Sequence, residues 1–142
     1  MFKGILVITI FLLFLLAFGG FLGGFALLAD PTGAMVGFPD DMIDRLPVST
    51  YMWPAVFLVV VFGLAPAYTG LRLSRSFFAE IDFKSTIVSV IGISVILIGW
   101  MSVQLWLLGW GHTLQTVTAI HSLLLLLSGL CLYRMDQIIK DR

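Results

Sequence analysis

Apolar residues run through this chain in long unbroken blocks, and the charges are confined to the gaps between them. Charged side chains occur at Lys3, in the stretches 30–45 and 72–84, and in the tail 134–142; the blocks 4–29, 46–71 and 85–133 carry none. A helix needs about 20 apolar residues to cross a hydrocarbon core of about 30 Å. The first two blocks are therefore predicted to hold one span each. The third is long enough for two, with Gly109-Trp110-Gly111-His112 as the turn between them. The expectation is all-α: a single membrane domain built as a four-transmembrane-helix bundle running up-down-up-down. The spans are expected at about 4–29, 51–71, 85–108 and 113–133, with an outer loop at 30–50, an inner loop at 72–84 and a tail at 134–142.

Lysine and arginine in short loops set the orientation of such a bundle. Lys3, Arg72, Arg75, Lys84, Arg134, Lys140 and Arg142 fall on one side, and Arg45 alone on the other. Both termini are therefore expected in the cytoplasm. The outer loop then carries Asp30, Asp40, Asp41 and Asp44 against that one arginine. The first block is longer than the apolar region of a secretory signal, about 7–15 residues. Leu27 also stands where cleavage after Ala29 would want a small residue, so the first helix is read as retained.

Composition narrows the function classes. The chain of 142 residues is 60% hydrophobic, 11% charged and formally neutral. A soluble domain carries about 25% charged residues, so a free cytosolic enzyme is excluded. A nucleic-acid binder, which needs a basic excess, is excluded as well. A single cysteine, Cys131, rules out a disulfide framework, a redox pair and a thiolate metal site. No carboxylate lies inside an expected span, which argues against an exporter that trades a proton for a cation.

Within the first helix, Gly19, Gly20, Gly23 and Gly24 form two overlapping GxxxG patterns. Such glycines let backbones approach closely, against this chain's own helices or against another protein. Asp30-Pro31-Thr32-Gly33 matches a type I turn. Residues 38–47 read as a short interfacial helix capped by Asp40, with Met42, Ile43 and Leu46 dipping into lipid. Calcium would take several such carboxylates, but the spacing of these aspartates matches no calcium loop. In the second helix Pro54 fits the first turn, and Pro66, after Gly63, is expected to kink the span and free a carbonyl.

On the third helix Ser85, Ser89, Gly92 and Gly99 follow at spacings of 4, 3 and 7, a small-residue packing seam. Polar residues gather near the outer end of the last two helices. Trp100, Gln104 and Trp106 lie on the third, Trp110 and His112 at the turn, and Gln115, Thr118, His121 and Ser122 on one face of the fourth. His121 falls about 12 Å below the start of its helix, at a depth comparable to Trp100. The plainer reading is a hydrogen-bond network from Gln104 to Gln115 or Thr118 that locks the last hairpin. The sharper one is a polar notch in which Trp100, Gln104, Gln115, Thr118 and His121 hold the head of a quinone, isoprenoid or lipid. Haem is disfavoured, because His112 and His121 are half a turn out of phase on one helix.

The run Gly19-Gly20-x-x-Gly23-Gly24, the segment Asp30-Pro31-Thr32-Gly33-Ala34, the Pro54-led second helix, Gln104 and Leu114-Gln115 together resemble a group of small prokaryotic four-helix membrane proteins. That resemblance implies the four-helix architecture and a prokaryotic plasma (inner) membrane. It assigns no activity and no catalytic residue. The leading expectation is a non-catalytic accessory or structural component. Its partners would be membrane lipids and other membrane subunits or copies of itself, with no nucleic acid and no required cofactor. The alternative is a binding or catalytic module for a lipid-soluble ligand such as a quinone.

Overall fold

A computed structural model describes residues 2–38, 40–45, 47–78, 82–109 and 113–140. Among them every regular element is helical. Helix α1 covers Phe2–Ala29. Two short 3-10 turns follow at Ala34–Val36 and Asp40–Arg45. The second span is built from α2 (Met52–Phe57), a π-helical segment (Leu58–Leu64) and α3 (Ala65–Arg75). Helix α4 covers Phe83–Leu108 and α5 Thr113–Lys140. Four of these stretches are long and apolar enough to cross a membrane: Phe2–Ala29, Met52–Arg75, Phe83–Trp106 and Gln115–Ile139.

The helices form a bundle in which α1 packs on the second span and on α5, α5 packs on α4, and α3 returns to α4. Each span contributes to one buried cluster: Leu13 from α1, Phe62 and Leu73 from the second span, Ile87 and Val90 from α4, Leu125 and Leu132 from α5. On α1 and the second span the pairing runs in opposite senses. A Cβ on Gly70 would touch Leu13, one on Gly20 would meet Phe62, and one on Gly24 would meet Ala55 and Val59.

The π segment has a local cause. Proline at 66 has no N–H to offer the Phe62 carbonyl and its ring crowds that carbonyl. The ladder widens instead, and the N–H of Ala65 donates to Val60. Gly20 fits against the widened turn: a Cβ there would overlap the Phe62 carbonyl. The expected kink is thus a π bulge, with a glycine of the neighbouring helix seated on it.

Not all of the expected glycine surface is used this way. Gly20 and Gly24 are buried against the second span, whereas Gly19 has nothing within 4 Å and Gly23 reaches only Leu58 at 3.9 Å. Adjacent helix positions are about 100° apart, so one pair of the doublets faces the second span while the other turns away. The stripe on α4 also departs from an internal seam. Ser85, Ser89, Gly92 and Gly99 are all exposed, and Gly92 and Gly99 have nothing within 4 Å. The contacts of α4 with α5 are made through the opposite side, where Ile91 and Val90 sit by Gly129.

The loop at 30–50 is folded onto the bundle. The Gly33 N–H donates to the Asp30 carbonyl at 3.1 Å, closing the turn, and the Tyr51 N–H reaches back to Pro31 at 3.2 Å. The rings of Phe38 and Tyr51 lie 5.1 Å apart. Val36, Phe38 and Ile43 pack on buried Leu27, Tyr51 and Ala55. The short helix at 40–45 therefore does not dip away from the protein. Met42 is buried, and Ile43 is half-buried against the ends of α1 and α2. Leu46 lies outside the described residues, as does the Asp40 side chain.

Two helices run on past the expected spans. The second span continues through Arg72 to Arg75, and α5 continues past Tyr133 to Lys140. A charged residue marks where a helix becomes soluble in water, not where its backbone hydrogen bonds stop. Asp82 starts α4, its carboxylate accepting the Ser85 N–H at 3.1 Å.

Candidate functional site

Three of the polar residues of the last two helices have described partners, and these partners differ. Gln115, Trp100 and His121 each meet a different neighbourhood. Gln115 is buried at the start of α5, and its Nε2 donates to the Gly109 carbonyl at 3.2 Å. This bond ties α5 to the end of α4, where Gly109 has φ 72 and ψ 179. The bond described for the Gln115 amide goes to the Gly109 carbonyl rather than to Gln104 or Thr118. Gln104 and Thr118 are both half-buried.

Trp100 belongs to a second neighbourhood. Its ring stacks on Phe57 at 4.8 Å and lies 6.3 Å from Phe62, while Phe57 and Phe62 meet edge to face at 5.4 Å. The indole therefore fills the groove beside the π segment and is engaged by the second span. Trp106, at 84% exposure, points out of the bundle.

His121 forms the third. Its imidazole lies against the Leu12 backbone of α1. Nε2 is buried and has no hydrogen-bond partner among the described residues. Ser122, its neighbour, is satisfied within its own helix, donating to Ala119 at 2.8 Å. Trp110 and His112 lie outside the described residues.

A hollow of about 340 Å³ opens at the 30–50 loop, lined by Pro31, Thr32, Ile43, Ser49 and Thr50. Two of its three hydroxyls are engaged. The Thr32 Oγ1 donates to Asp30 at 2.6 Å, and the Thr50 Oγ1 accepts the Met52 N–H at 3.3 Å. Asp30 is the organiser of this loop. One carboxylate oxygen accepts from the Thr32 backbone and hydroxyl, and the other accepts the Met35 N–H at 2.8 Å. These bonds hold its carboxyl below the ordinary aspartate range, the Thr32 hydroxyl contributing most.

Sequence reading missed three participants. Phe57 and Phe62 gave no signal among so many apolar neighbours. Asp136, read as part of a tail, is buried on α5. Its position was recoverable: 125, 128, 129, 132 and 136 are all buried and follow the three-and-four spacing of one helix face. Among the described residues, no group of three or more His, Cys, Asp or Glu comes together as a metal site. Compared with known proteins, the chain matches no family model, no curated protein and no solved structure.

Proposed function

We propose that this chain is a non-catalytic integral membrane protein, an accessory or structural subunit of a prokaryotic plasma membrane that packs against further membrane helices. In this reading the four spans run up-down-up-down with both termini in the cytoplasm, following the bias of lysine and arginine. The observation that carries it is the outward row on α4. Ser85, Ser89, Gly92 and Gly99 are exposed on one side of a span whose inner side is already packed. Association in lipid depends on close packing more than on apolarity, and small residues provide it. The first helix supports this less than its sequence suggests, since Gly20 and Gly24 are occupied within the chain. The test is mild-detergent purification of the wild type and of Gly92→Leu/Gly99→Leu. A larger assembly that the double variant loses while staying folded supports the reading. A wild type that is monomeric in native membranes by cross-linking refutes it.

A second reading, a module for a lipid-soluble ligand such as a quinone, is favoured by the buried, unpaired Nε2 of His121. It predicts that a quinone or lipid co-purifies and is lost in His121→Leu. A variant that retains the same extract as wild type removes it.

A further inference from the structure

We infer that the α3 end of the second span is a binding site for one anionic phospholipid, its headgroup held by Arg72 and Arg75 and its acyl chain laid along the row beneath them. The inference rests on the bilayer part of the reading above and not on any partner subunit.

The second span presents an outward face that changes character along its length. Val60, Leu64 and Leu71 are exposed apolar side chains, and Tyr68 is exposed among them. Positions 64, 68, 71 and 75 recur at the spacing of one helix face, so the row ends on Arg75. Arg72, one turn beyond Tyr68, has its guanidinium 5.9 Å from the centre of that ring. The tyrosine therefore holds Arg72 at the outward side. Among the described residues neither arginine has a carboxylate partner. Two guanidiniums thus stand at the head of a row of exposed apolar side chains.

The helix end alone does not account for this arrangement. Cations are favoured in a last turn by the helix dipole, and Arg75 satisfies that role by itself. Nothing in the dipole requires a second arginine steadied on an aromatic ring above exposed leucines. A phosphodiester would use both, because guanidinium groups bind it through paired N–H donors. The turn that follows fits the same boundary. Phe77 and Phe78 are exposed, Phe78 at 93%, in a turn closed by the Phe78 N–H donating to Arg75 at 2.9 Å. Exposed phenylalanines beside basic groups suit the boundary between headgroups and acyl chains, close to the lipid phosphate.

The test uses the full chain in nanodiscs made of equal parts phosphatidylglycerol and phosphatidylcholine, with native mass spectrometry reading which lipid stays bound. The wild type is expected to retain phosphatidylglycerol preferentially. R72Q/R75Q is expected to lose that preference about 30-fold, the effect of two basic groups at an anionic surface. R134Q, which leaves both arginines in place, is expected to keep it. R72K/R75K preserves both charges and is expected to lose part of the preference, because ammonium groups lack paired donors. If R72Q/R75Q fails to fold, R72K/R75K decides, and an unchanged preference there overturns the site. A folded R72Q/R75Q that binds as wild type, or an R134Q that loses as much, also overturns it. Inorganic phosphate stabilising the detergent-solubilised chain as well as phosphatidylglycerol does would assign the arginines to a free anion and overturn the lipid. A wild type that fails to enter discs of phosphatidylcholine alone and of the mixture would overturn the bilayer reading itself.

Discussion

Gly20 of α1 lies directly on the Phe62 carbonyl of the π segment, leaving no room for a single methyl group. The obstacle is backbone, which cannot rotate aside as a side chain can. Gly20→Ala is therefore expected to destabilise the bundle by at least the cost of overpacking a core, about 1–3 kcal/mol. Gly19→Ala should change stability by no more than about 0.5 kcal/mol, since the site is open. Unfolding in mixed micelles, followed by circular dichroism, separates the two.

Trp100 is expected to matter through its ring contacts. In lipid the apolar transfer contribution largely vanishes, because acyl chains replace any packing partner that is removed. What remains are the two contacts with Phe57 and Phe62, each worth about 0.5–1.5 kcal/mol. Trp100→Ala should therefore cost about 1–3 kcal/mol, and Trp100→Phe less. The same unfolding titration, repeated with Phe57→Ala and the double variant, should show coupling between them.

The 30–50 loop should be acid-sensitive. The Asp30 carboxyl is held below its ordinary value by the bonds from Thr32 and Met35. A lowered folded pKa contributes stability that is complete above the unfolded aspartate range and is lost as pH falls through the folded value. Hydrogen exchange at Thr32 and Met35 should thus be slow, after correction for intrinsic rate, at neutral pH and accelerate only in strong acid. Asp30→Ala should give the fast rate at every pH.

Much of the architecture could be read before any coordinates, for a physical reason. Charges cannot sit in hydrocarbon cheaply, so the gaps at 30–45 and 72–84 separate the stretches that are long and apolar enough to cross it. The turn at Asp30 was equally legible, because its residues act on their own backbone. The facing of each helix was not. A span apolar on all sides has no polar edge to show which way it turns, so Gly20 could not be told from Gly19. A small-residue row such as Ser85 to Gly99 likewise reads the same whether it meets the chain's own helices or faces outward. The polar residues at 100–122 share a depth, but depth does not say which neighbour a side chain meets. Trp100 met the second span and His121 met α1.

The junction of α4 and α5 is expected to depend on glycine at 109. With φ 72 and ψ 179 it occupies a region open almost only to glycine. Gly109→Ala should cost about 1–3 kcal/mol. Gln115→Leu, which removes the bond to the Gly109 carbonyl, should cost less, about 0.5–1.5 kcal/mol. Thermal aggregation of the purified variants in one detergent would rank them.

The backbone link from Tyr51 to Pro31 closes a circuit of only about twenty residues, and short circuits lose little chain entropy on closing. Everything that link requires has been synthesised by the time Ala55 emerges from the ribosome. The first helix can therefore be clasped before its companion is finished. Gly24 and then Gly20 can meet their counterparts in order of translation, as a zip fastener closes from its anchored end.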